Sequence, residues 1–171
     1  MEIPQRSYRR LDPGEEIVMC GIADTVINSL VQVGNNFSKL LMLVGPVFSG
    51  KTQCLKEVSE RINIPQVNLG AELSKKLIEL SIKQQVLRVS GLTKEIINNV
   101  HSDVALVDNI EILFNPDLKI DPVRLLLNCS RNKTLVVAFS GKQVDNSIIY
   151  AEPHHPEYGK FKIKDYEVIS F

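Results

Sequence analysis

Hydrophobic positions along the chain follow two patterns. Three runs, at 40–44, 104–107 and 135–139, are apolar without alternation. Continuous short apolar runs suit strands buried on both faces, so strands are predicted over 39–44, 104–108 and 134–140. Between them the apolar positions recur at helical spacing. Asp12, Pro13, Glu15 and Glu16 form a set of helix-start signals, and residues 1–12 before them read as a loose arm. The stripe Ile17, Val18, Cys20, Ile22, Val26, Ile27, Leu30 and Val31 carries that helix to a stop at Gly34. Further helices are expected over 51–61, on the face Leu73, Leu77 and Leu80, over a short stretch 93–100, and over 122–129 behind Asp121. Residues 64–69 read as one more strand, with Pro65 confining it to an edge or to its first positions.

Strands alternating with helices predict a parallel sheet covered on both faces. After Ser140 the pattern changes. Only seven residues separate that strand from the apolar segment 148–152. A parallel crossover needs a dozen or more, so the segment should run antiparallel or belong to an appended hairpin. The tail 161–171 alternates weakly and is a candidate edge strand.

Composition narrows the picture. The 171 residues carry 20 Lys+Arg against 20 Asp+Glu, with 44% hydrophobic and 23% charged residues. These values fit one folded domain and exclude a dominant disordered state. A formal net charge of zero gives no overall field for nucleic acid, leaving DNA contact only to a local patch. No apolar run reaches the ~20 residues that a membrane span requires, and the N-terminus lacks the apolar core of a secretory signal. The three cysteines, Cys20, Cys54 and Cys129, form no CxxC pair, which suggests core residues in a reducing cytoplasm.

The chemistry concentrates at Gly45-Pro46-Val47-Phe48-Ser49-Gly50-Lys51-Thr52, a match to G-x-x-x-x-G-K-[ST] placed between a strand and a helix. Its glycines let backbone N–H groups wrap a phosphate, and the helix N-terminus adds partial positive charge. Residues 45–52 with Gln53 are therefore the candidate nucleotide-binding set. Lys51 is suited to the β- and γ-phosphates and Thr52 to a magnesium ion. Asp108, ending an apolar strand, has the form of a Walker B carboxylate, the second magnesium ligand. The residue after it is Asn109 rather than Glu. Asn can orient a water but cannot take its proton. Glu111 is either a catalytic base or a solvated turn residue, and Ser140 either a γ-phosphate sensor or an ordinary strand end. Arg124, Arg131 and Lys133 are singly best read as surface charge, yet an arginine given to a neighbouring subunit, Arg131 foremost, would complete such a site. His154 and His155 lie in a segment that reads as a structured turn or partner contact more readily than a metal site.

The loop GPVFSGKT, the segments VNLGAELSKKLIEL and VALVDNIEILFNPDLKIDP, the stretch SRNKTLVVAFSG and the ending YAEPHHPEY together resemble the BrxF family, small P-loop proteins of type 3 bacteriophage-exclusion (BREX) defence systems. VDNIEILF is also similar to the Walker B region of DnaA-type AAA+ ATPases. The resemblance implies an α/β P-loop NTPase fold of the AAA+/ASCE kind, three-layered, with a mainly parallel sheet and C-terminal antiparallel strands. It departs from AAA+ proteins in leaving no residues for a helical lid after Ser140. A single domain over 1–171 is expected, comprising an arm and helix at 1–34, the P-loop core at 39–140 and a strand extension at 141–171. The implied ligands are ATP or ADP and Mg²⁺, and the implied partners are further copies of the chain and other BREX proteins. Three functions follow as expectations: a slow or partner-stimulated ATPase, a nucleotide-gated adaptor for DNA or a larger BREX protein, and a small-molecule P-loop kinase. The last is weakened by sparse arginines. A GTPase is disfavoured because no N-K-x-D motif follows.

Overall fold

The computed structural model describes residues 13–171, with side chains from Gly21 onward; the arm 1–12, the Asp12 cap and the side chains of Ile17, Val18 and Cys20 lie outside the described residues. Five strands, β1 (Leu40–Gly45), β2 (Gln66–Asn68), β3 (Val104–Asp108), β4 (Thr134–Ser140) and β8 (Glu167–Ser170), form one sheet in the order β2-β3-β4-β1-β8. All its pairings are parallel. Strand β4 separates β1 from β3, so the strand ending in Gly45 and the strand ending in Asp108 flank a common neighbour. This is the mainly parallel, three-layered α/β architecture expected from the sequence.

The uninterrupted apolar runs have a direct cause in this sheet. Leu40, Met42 and Val44 face one layer with Leu135, Val137 and Phe139, while Leu41 and Leu43 face the other with Val136 and Ala138. Each is at most 3% exposed, and a fully buried side chain of this size contributes about 1.5–3 kcal/mol. One layer is α1 (Pro13–Gly34) and α2 (Lys51–Ile62), packed through Ala23, Val26, Cys54, Leu55 and Val58. The opposite layer holds α3 (Leu69–Leu77), α4 (Ile82–Asn98) and α5 (Pro122–Cys129).

Several boundaries differ from those expected. Strand β2 is only three residues long and does lie at the sheet edge, as Pro65 demands. Leu69 begins α3 instead of ending the strand, because the Asn68 side chain accepts from Ala71 N and caps the helix. Leu80 consequently lies beyond α3 and only half-buried. Helix α4 starts at Ile82, well before position 93. A capping box between Ser81 and Gln84 nucleates its first turn, ahead of the buried Val89, Leu92, Ile96 and Ile97. Val31, assigned to the apolar stripe of α1, is 73% exposed, and Val33 is buried instead.

The chain after Ser140 forms a second, antiparallel sheet, β5 (Lys142–Val144), β6 (Ser147–Tyr150) and β7 (Gly159–Lys162). Ile148, Tyr150 and Phe161 pack it onto the layer of α3–α5, where Tyr150 stacks on Phe114 at 3.9 Å between ring centroids. It replaces a crossover helix between β4 and β8, and no helix follows Ser140. The tail does supply an edge strand, and the pairing is parallel to β1.

Candidate functional site

The loop after β1 is shaped by close approaches. A Cβ on Gly45 would lie 2.6 Å from Ser49 Oγ and 2.7 Å from Phe171 Cβ, so only glycine fits there without displacement. Ser49 N donates to Pro46 O at 3.2 Å, closing the turn. Gly50 has φ 95°, a left-handed conformation natural to glycine, and serves as N-cap of α2 without a side-chain cap bond. The first in-helix bond runs from Cys54 N to Gly50 O at 2.9 Å. The N–H groups of residues 51–53 therefore have no helical acceptor, as at any uncapped helix start. Phe48 also takes a left-handed φ, 65°, and its ring is fully exposed.

Lys51 is folded beneath this loop. Its Nζ donates to Gly45 O (2.8 Å), Pro46 O (2.5 Å) and Ser49 Oγ (3.1 Å), and the residue is 5% exposed. The lysine expected to face a phosphate is thus also an internal brace of the loop. Burial lowers its pKa, while the nearby Glu111 and Asp108 carboxylates oppose that shift.

At the end of β3, Asp108 is buried to 8% exposure, and its Oδ1 accepts from Asn109 N at 2.9 Å. Asn109 has φ 56°, a conformation asparagine tolerates well, and turns the chain sharply. A 3₁₀ turn, Glu111–Phe114, follows, held by buried Leu113 and Phe114. This bend swings Glu111 back toward the site, where Oε1 accepts a 2.9 Å bond from Ser140 Oγ at the end of β4. Residues 47–53, Asp108, Asn109, Glu111 and Ser140 line one cavity of about 640 Å³. Thr52 and Gln53 are exposed on its wall. Thr52 and Asp108 offer oxygen donors to the same space, the donor type a hard divalent cation takes.

The cations singled out in the sequence fall elsewhere. Lys39 N donates to Ser130 O, which puts Arg131 at the entry end of β1 and β4, ~20 Å of strand from the loop. Its guanidinium lies 5.5 Å from the centroid of the exposed Phe37 ring. Arg124 lies beside Lys160, Lys162 and Lys164 around a different cavity. Lys133 is a buried structural residue, contrary to its surface reading: its Nζ donates to Ile97 O and Val100 O, tying the end of α4 to β4, and burial lowers its pKa. His155 Nδ1 accepts from Glu157 N at 3.1 Å within a turn. Among the described residues, no three His, Cys, Asp or Glu side chains converge to hold a metal, and no helix is long and apolar enough to cross a membrane.

Two neighbours of the site had no sequence motif to mark them. Phe171 supports the loop from below, its N–H donating to Val44 O at 2.8 Å. Lys142 lines a second cavity of about 250 Å³, which shares Val47 and Ser140 with the first.

No protein-family model matches the chain, and no curated protein sequence does. Among solved structures, that of C. elegans PCH-2 is similar over 80% of this chain and 40% of that one, at 18% identity and a TM-score of 0.42.

Proposed function

We propose that this chain binds ATP or ADP with Mg²⁺ at residues 45–53 and is a slow ATPase, stimulated by self-association or by a partner. The observation that carries this reading is the single cavity shared by the loop, Asp108, Glu111 and Ser140. The uncapped start of α2 and the left-handed Gly50 present main-chain donors to the phosphates. Lys51 exchanges its loop carbonyls for phosphate oxygens. Thr52 and Asp108 would hold a magnesium ion, which would neutralise charge on the phosphate oxygens. Glu111, the carboxylate nearest Ser140, accepts the proton of the attacking water; Asn109 orients that water.

The assignment to phage defence rests on the resemblance to BREX proteins, and so do the expected BREX partners and any contact with DNA, while the cytoplasmic setting rests on the cysteine pattern. The nucleotide-gated adaptor is the second reading. Its support is the hydrogen bond from Ser140 to Glu111, which commits the one hydroxyl proton of Ser140 to the carboxylate rather than to a phosphate. Titration calorimetry with ATP and ADP, with and without magnesium, tests nucleotide binding. Phosphate release measured against protein concentration then separates ATPase from adaptor. A folded protein that binds neither nucleotide refutes both readings.

A further inference from the structure

Of the cations around α5, Arg124 lines a different cavity and Arg131 lies at the opposite end of the strands from the loop. Nearer the loop there is one lysine that no motif marks. The chain leaves the main sheet at Gly141, whose N–H donates to Gly45 O at 3.0 Å, the same carbonyl that accepts from Lys51 Nζ. A Cβ at Gly141 would lie 2.2 Å from Ile149 O and 2.5 Å from Phe139 Cε1. Glycine is thus required for the chain to pass this tightly from β4 into β5, and the passage fixes Lys142 one residue from a main-chain bond to the loop. Lys142 and the site share two walls, Val47 and Ser140. Its only ion pair among the described residues is loose, 3.8 Å to Glu152, with the two side chains 56% and 65% exposed. An exposed pair of this kind contributes little, and the lysine stem is flexible, so leaving Glu152 costs little.

We propose that Lys142 is the chain's own cation for the γ-phosphate, reaching across Ser140 when ATP occupies the loop and acting within one subunit. The inference rests on the nucleotide-binding reading above. In the step it serves, water oxygen bonds to the γ-phosphorus as the bond to the β–γ bridging oxygen breaks. ADP leaves with that electron pair, inorganic phosphate forms, and the water proton passes to the Glu111 carboxylate. Lys142 takes no proton in this step; its ammonium group offsets charge on the γ-phosphate oxygens as they separate.

The test compares wild type, Lys142→Gln and Lys142→Arg as samples shown to be monomeric by light scattering. Affinities for ADP and for a non-hydrolysable ATP analogue are measured by calorimetry, alongside single-turnover hydrolysis. A residue that touches only the γ-phosphate leaves ADP affinity of Lys142→Gln within about twofold of wild type, weakens the analogue roughly tenfold and slows hydrolysis on the order of 10²-fold. Lys142→Arg recovers most of both losses, because position 142 is exposed and its charge is kept. Equal loss for ADP and analogue, or no loss for either, overturns the assignment while leaving nucleotide binding intact. A wild type that binds no nucleotide overturns both proposals.

Discussion

Ser140 and Glu111, 29 positions apart in sequence, meet through a 2.9 Å hydrogen bond in which the hydroxyl at the end of β4 donates to the carboxylate that opens the 3₁₀ turn after β3. The bond uses the single proton of the Ser140 hydroxyl and one of the two Glu111 carboxylate oxygens, so under the proposed function a γ-phosphate at Ser140 competes with Glu111 for that proton.

Substitutions at Glu111 and Asn109 separate the proposed base from the proposed water-orienting group. Glu111→Gln is expected to keep nucleotide affinity within a few-fold and reduce turnover by about 10²–10⁴, the usual contribution of a positioned base. Asn109→Ala is expected to cost far less. Steady-state kinetics on the two variants distinguish a base at 111 from a water-orienting amide at 109, and an unaffected Glu111→Gln enzyme assigns Glu111 to structure alone.

Lys51→Ala removes three hydrogen bonds as well as a charge. Nucleotide affinity is expected to drop at least tenfold. Because Gly45 O and Pro46 O lose a donor, the melting temperature also falls, by the equivalent of about 1–3 kcal/mol. Calorimetry and thermal melts on one sample check both effects.

Asp108→Ala is expected to abolish most of the affinity gained on adding magnesium and little of the affinity measured in chelator. The remaining binding comes from main-chain donors that the substitution leaves alone. Equal losses with and without metal make Asp108 a structural residue.

Gly45→Ala pushes a methyl group into Ser49 and Phe171. Overpacking of this kind costs about 1–3 kcal/mol, and here the strain falls on the loop itself. Lowered thermal stability accompanied by weakened nucleotide binding is the expected outcome; a stable, fully binding variant shows that the tail yields without disturbing the loop.

Burial raises the thiol pKa of both Cys54 and Cys129 to about 11. A raised folded value means that the folded state holds its proton where the unfolded chain, with thiols near pKa ~8.5, releases it. This stability is complete below about pH 8.5 and is lost as pH climbs toward 11. Denaturant melts at pH 8 and 10.5 should show the decline, and Cys54→Ala with Cys129→Ala should flatten it.

Much of the site was legible because its chemistry is local. The loop 45–52 and the carboxylate at 108 are contiguous patterns, each bound to a strand end that apolar runs reveal. Lys133 departs from its surface reading because charge in a sequence carries no position. It is buried on the carbonyls of Ile97 and Val100, whereas Arg131 is exposed beside Phe37 at the far end of the strands. The early start of α4 is not visible in apolar periodicity because Ser81 and Gln84 act through side-chain hydrogen bonds. Lys142 and Phe171 come near the loop only through tertiary folding: a glycine passage between two sheets, and a pairing of residues 41–44 with 167–170.

That last pairing also orders events in time. Strand β8 seals the flank of β1 and sets Phe171 beneath Gly45, and the two partners are separated by on the order of 100 residues of intervening chain. A ribosome must therefore deliver the chain through Phe171 before the phosphate loop has its floor. Until then β1 stands as an open edge, the kind of surface that other unfinished chains can pair with. Capture of nucleotide by nascent chains of increasing length would mark the moment the floor arrives.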